Sequence, residues 1–182
     1  MKTLAVYCGA APGANPLYAE AARLLAASLV EHNIGLVYGG GRVGLMGAIA
    51  DEVLRLGGEA TGVIPKALVE REVGHAGLTR LFVVKDMHER KAMMADLSEG
   101  FIAMPGGMGT LEELFEMVTW AQLGIHAKPI GLLNANGFWD GLMAFVRHQC
   151  EEGFVRPAHL GLMQVDADPD ALIRRLRAAV TA

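Results

Sequence analysis

Cysteine is nearly absent: the 182 residues hold two, Cys8 and Cys150. They lie far apart, with no CxxC and no Cys/His pair at ligand spacing, which excludes a disulfide framework and a thiolate metal site. A reducing cytoplasm is the expected compartment, and no metal is expected. Long apolar runs are also missing. None approaches the roughly 20 residues that span a bilayer, and the apolar stretch after Met1-Lys2-Thr3 covers only residues 4–7, too short for a secretory signal. Positive charge is in deficit, with 16 Lys and Arg against 20 Asp and Glu and a formal charge of −4. Binders of nucleic acid or anionic membranes usually carry a basic surplus, so neither partner is expected. Repeats, linkers and low-complexity segments are lacking, which leaves one domain, residues 1–182. Hydrophobic residues make up 52% and charged residues 20%, the balance of a chain that folds around a core.

Short apolar runs alternate with helical patterns along the whole chain. Strand-like runs occupy residues 4–8, 34–38, 61–64, 81–84, 101–104, 130–133 and, more weakly, 162–165. Helix-like segments occupy 16–32, 45–56, 87–98, 111–123, 138–152 and 169–179. This alternation predicts an α/β fold, a Rossmann-like doubly wound parallel sheet with helices on both faces. Several strand runs are apolar without alternation, as in parallel strands buried on both sides. Gly and Pro collect where the strands end, at 9–16, 39–47, 65 and 105–109, and ligands of open α/β sheets sit beyond those ends.

Two glycine-rich turns join a strand to a helix. Gly39-Gly40-Gly41-Arg42-Val43-Gly44 formally satisfies G-x-G-x-x-G. A dinucleotide site also expects an acidic residue at the end of the next strand, where Ile64-Pro65-Lys66 stands instead, so the NAD reading is weakened. Glycines that only permit a tight turn and close helix packing compete with it. The second turn is Pro105-Gly106-Gly107-Met108-Gly109-Thr110, followed by Leu111, Glu112 and Glu113. Free N–H groups at such a helix start suit a phosphate, with the Thr110 hydroxyl as a further donor. The Lys-Ser/Thr pair of a P-loop is missing, so a monophosphate fits better than a triphosphate.

Glu112, Glu113 and Glu116 fall early in that helix. Compensation of the helix dipole is the ordinary reading. At 100° per residue, Glu113, Glu116, Met117 and Trp120 lie opposite the core face, so a second face is expected to line a pocket or a subunit interface. Asp86 and Glu89 make a cap and capping-box pair for another helix. Arg90 and Lys91 oppose that helix's dipole and ask for an anionic partner, with solvated side chains as the alternative. His88, His126, Cys8 and Cys150 have no sequence-visible partner and are read as structural.

Taken together, Gly39-Gly40-Gly41 with Gly44-Leu45-Met46-Gly47, Met87-His88-Glu89-Arg90-Lys91, the 105–113 segment and Thr119-Trp120-Ala121-Gln122-Leu123-Gly124 resemble the LOG ("Lonely guy") family of cytokinin riboside 5′-monophosphate phosphoribohydrolases. The resemblance runs over essentially the whole chain. It implies hydrolysis of the N-glycosidic bond of AMP or an N6-modified relative, giving free base and ribose 5-phosphate without a cofactor. It also implies a homodimer. The implied catalytic pair is Arg90 and Glu113. Implied substrate-binding residues are Glu72, Lys91, Gly106, Gly107, Met108, Gly109, Thr110, Leu111, Glu112 and Thr119, with Gly39, Gly40, Gly41 and Gly44 forming a secondary loop. Related proteins sharing the PGGxGT segment include molybdenum cofactor carriers, so a non-catalytic carrier is the alternative. Older labels for the family read lysine decarboxylase, yet no residue here marks a pyridoxal phosphate lysine.

Overall fold

The computed structural model describes residues 1–69 and 74–181. Its sheet contains seven parallel strands. They are β1 (Thr3–Tyr7), β2 (Gly35–Tyr38), β3 (Ala60–Pro65), β4 (Arg80–Val84), β5 (Phe101–Ala103), β6 (Ile130–Leu133) and β7 (Met163–Asp166). The helices are α1 (Leu17–Glu31), α2 (Gly44–Arg55), α3 (Met87–Asp96), α4 (Met108–Gln122), α5 (Asp140–Glu151) and α6 (Pro169–Thr181). Every expected strand and helix is present, and the single parallel sheet with its covering helices is the predicted fold class.

The strand order is β4-β3-β2-β1-β5-β6-β7. The chain therefore builds outward from β1 to β4, then returns to the other side of β1 with β5. Connections after β1 and β5 leave their strands in opposite directions, and a crevice opens between them at the carboxyl end of the sheet. One face of the sheet carries a core that includes Leu25 and Leu29 of α1, Ile49 of α2 and Leu172 of α6. The other carries a core that includes Met94 of α3, Leu114 and Met117 of α4, and Val146 of α5. The central strands are buried on both faces, which explains their unbroken apolar runs.

Three departures from the sequence reading matter. β4 is an edge strand, and its Leu81, Phe82 and Val83 are exposed rather than buried on both sides. α4 begins at Met108, three residues ahead of the expected start, so its first turn has no acidic residue. Dipole compensation therefore does not account for Glu112 and Glu113, because that effect fades beyond the first turn. Trp120 packs partly buried against the core of its own chain.

Candidate active site

Backbone hydrogen bonds fasten the loops at the switch point together. Gly9 N–H donates to the Pro105 carbonyl at 3.1 Å, Met104 N–H to Tyr7 at 2.9 Å, and Leu45 N–H to Gly9 at 3.0 Å. The cleft they surround has a volume of about 490 Å³. Its floor is made by Cys8, Gly9 and the 105–107 turn, with Arg90 and Glu113 projecting from α3 and α4. Tyr18 and Phe138 close one end as an edge-to-face pair with ring centroids 5.8 Å apart. Leu45, Met46, Leu68 and Met87 add apolar wall.

The start of α4 is suited to an anion. Gly107 is its N-cap in extended geometry, with no side-chain cap, and the Leu111 N–H reaches back to the Gly107 carbonyl at 3.2 Å. By helix geometry the preceding N–H groups have no partner within the helix, and the dipole favours negative charge there. Gly106 is required by crowding, since a Cβ would collide with the buried Thr110 side chain and lie 2.9 Å from Gly9 N. Gly107 and Gly109 are different: a Cβ on either would meet nothing within 4 Å. Their missing side chains leave the cleft rim open to a ligand.

Arg90 is 5% exposed, and its Nη2 donates to the Gly39 carbonyl at 3.0 Å. A Cβ on residue 39 would collide with that guanidinium, which makes Gly39 part of the arginine's seat. Its helix starts at a conventional cap, the Asp86 Oδ1 accepting from Glu89 N–H at 3.0 Å. The Glu89 N–H, with that of His88, holds the Asp86 carboxyl below its ordinary pKa. The Glu89 carboxylate accepts from Lys85 N–H at 2.7 Å, one residue before the N–H a capping box would use.

Cys8 borders the cleft as a neutral thiol. Burial pushes its pKa far up, and the Glu113 charge adds to the effect, outweighing the opposing pull of Arg90. Burial likewise raises Tyr7, reinforced by Glu113, Glu116 and Glu112. His126 is hydrogen-bonded to the Met117 carbonyl at 3.0 Å and lies against the Phe101 ring.

The fold thus gathers Gly39, Arg90, Gly106, Gly107, Gly109, Thr110 and Glu113 around one cleft. Other expected site residues stand outside the lining. Lys91 is buried and pairs with Glu112 and with Glu116, the latter at 3.1 Å. Met108 projects into solvent, Leu111 packs partly on the core, and Thr119 is exposed farther along α4. Gly40, Gly41 and Gly44 are also outside the lining. Gly44, at φ +60°, lets α2 abut the first loop, where a Cβ would collide with Ala10. Glu72 lies outside the described residues. The sequence reading flagged the 9–16 cluster but placed no site residue there, and it missed the aromatic wall. Tyr18 and Phe138 meet only through tertiary packing and carry no short-range signal.

A parallel sheet with an uncapped helix start, a buried arginine and a carboxylate at its switch point defines an α/β protein of Rossmann-like fold with a cleft suited to an anion. The family model described as possible lysine decarboxylase matches residues 46–176, and the chain belongs to that family, the LOG family. It is 47% identical to a cytokinin riboside 5′-monophosphate phosphoribohydrolase of Arabidopsis thaliana over 96% of this chain and 81% of the relative. Identity to the enzyme of that name from Rhodococcoides fascians is 45%, over 97% of this chain and 89% of the relative. Among solved structures, the molybdenum cofactor binding protein of Rippkaea orientalis superposes with a TM-score of 0.72 at 19% identity, covering 98% of this chain and 96% of that one. The molybdenum cofactor carrier protein of Chlamydomonas reinhardtii gives 0.72 at 20%, covering 99% and 98%. At such identities the likeness is one of fold.

The decarboxylase label does not fit the lysines. Among the described residues no lysine lines the cleft, and the buried Lys91 is held as an ammonium. Burial works to lower its pKa, but Glu112 and Glu116 outweigh burial and raise it. A Schiff-base lysine needs the opposite, an amine that loses its proton readily.

Proposed function

We propose that this protein hydrolyses the N-glycosidic bond of purine nucleoside 5′-monophosphates, releasing the free base and ribose 5-phosphate. The observation that carries the reading is the convergence of Arg90 and Glu113 on one cleft with the open start of α4. Its relatives' names support the same reaction. The carriers, alike in fold alone, lend less to the alternative of a non-catalytic cofactor carrier.

The N-terminus of α4 holds the phosphate through backbone N–H groups, and that remote binding energy positions the ribose. Water then adds to the anomeric carbon as the bond to the base nitrogen breaks and its electron pair leaves with the base. Positive charge grows on the ribose ring, and the Glu113 carboxylate stabilises it and orients the water, as carboxylates do in glycoside hydrolysis. Arg90 meets the negative charge of the departing base or the phosphate. The proton released from water balances the charge on the base. Leu45, Met46, Met87 and the Tyr18–Phe138 pair give the cleft walls that suit a purine with an apolar N6 substituent as well as adenine itself.

The reading includes a cytoplasmic homodimer that binds no nucleic acid. Among the described residues no helix is long and apolar enough to cross a membrane. Exposed Leu123, Ile125 and Phe154 supply apolar surface for a second copy, to be checked by light scattering. The deciding assay incubates the purified protein with AMP, N6-isopentenyl-AMP and the matching nucleosides and quantifies base and ribose 5-phosphate. Release from monophosphates alone is expected. A ligand retained stoichiometrically without turnover would favour the carrier.

A further inference from the structure

Outside the cleft, the described residues include a buried imidazole in a specific polar arrangement. His75 is 5% exposed, and its Nδ1 lies 3.1 Å from Gly77 N, which donates to it. That bond leaves the proton on Nε2, which donates to Asp51 Oδ1 of α2 at 2.9 Å. The ring thus pins the segment before β4 to α2. The same segment grips the first glycine turn. His75 N–H donates to the Gly40 carbonyl at 3.0 Å, and Gly74 forms an antiparallel bridge with Gly41.

The turn has three successive carbonyls, and each accepts from a different element. Gly39 accepts from Arg90 Nη2 at 3.0 Å, Gly40 from His75 N–H, and Gly41 from the Tyr38 hydroxyl at 3.1 Å. With Gly40 at φ +76°, the turn lies outside any regular ladder, so these donors set its peptide planes. We propose that His75, held by Asp51, is a positioning residue. It fixes the glycine turn whose Gly39 carbonyl orients the Arg90 guanidinium. The proposal rests on the role given to Arg90 above. A misplacement of about 1 Å at a reacting group costs up to about a hundredfold in rate, so a modest relaxation of the turn is measurable.

The test uses Asp51→Ala, Asp51→Asn, His75→Ala and Arg90→Ala, with kcat and KM measured on AMP. Asp51 is largely exposed, so its variants keep the fold even where His75→Ala does not. Asp51→Ala and His75→Ala are expected to lower kcat about tenfold with KM within about twofold. Asp51→Asn, whose amide oxygen still accepts from Nε2, should retain most of the rate. Asp51→Ala placed on Arg90→Ala should cost nothing further, because the effect passes through that arginine. The same tenfold loss in the Arg90→Ala background, or an unchanged kcat in Asp51→Ala alone, would overturn the proposal. A wild-type protein that releases no base would sink the functional reading alone. The Arg90 side-chain NMR resonance then decides the positioning claim, since it must shift in Asp51→Ala and hold in Asp51→Asn.

Discussion

The turns after β2 and β5 look alike as sequence, each a strand, a run of glycines and a helix, yet they do different work. In the 39–47 turn the glycines are crowded by the protein itself. Side chains at 39, 44 and 47 would collide with Arg90, Ala10 and Arg42. In the 105–109 turn only Gly106 is crowded, and Gly107 and Gly109 face open space. The first turn is therefore a packing device that seats an arginine and lets α2 approach the first loop. The second leaves its backbone uncovered at the start of α4. What a missing side chain would have touched separates the two kinds of glycine, which the spacing of glycines along the chain does not.

The largest expected effect tests the two side chains that the turns bring to the cleft, Arg90 seated by the first and Glu113 on the helix that follows the second. Glu113→Gln or Arg90→Ala should lower turnover of AMP by about a hundredfold or more, read by base release under saturation. A near-parental rate would remove that residue from the mechanism. Next comes the packing role of the first turn: Gly44→Ala should cost about 3 kcal/mol in urea unfolding, from the strain at φ +60° and the collision with Ala10. Gly109→Ala should do the reverse. It should stabilise the protein by about 0.5–1 kcal/mol, as alanine does in a helix, while raising KM for AMP about tenfold through a methyl at the phosphate. Loss of stability without loss of affinity in Gly109→Ala would erase the distinction between the turns.

The smallest effect concerns the carboxylates behind the second turn. Because Glu112 and Glu116 raise the Lys91 pKa above its ordinary 10.5, the folded state holds this proton more tightly than the unfolded chain. The stabilisation is complete below pH 10.5 and is lost as pH rises through the higher folded value. A thermal-unfolding series across that window should show a decline that Lys91→Met lacks.

Much of this was readable along the chain. Strand and helix alternation, the buried character of the central strands and the glycine turns at their ends follow from local apolar periodicity. Arg90 and Glu113 were found through motif resemblance, and the fold brings both to one cleft. The early start of α4 was missed because its N-cap, Gly107, carries no capping side chain, so the helix pattern emerges only at Leu111. The exposure of β4 was missed because an apolar run does not reveal whether its strand is central or at an edge. Lys91 and Glu112 were read as ligand-facing, and their mutual pairing depends on α3 packing beside α4.

By itself, the sequence determined the fold class and the number and order of the elements, because these follow from local apolar periodicity, and its motifs supplied the chemical types at the candidate site through resemblance. The tertiary structure decided the strand order, the pairing of Lys91 with Glu112 and Glu116, the Tyr18–Phe138 wall and the seat that Gly39, Gly40 and His75 make for Arg90. Those arrangements join residues tens of positions apart, and their partners are selected only when whole helices and strands pack into place.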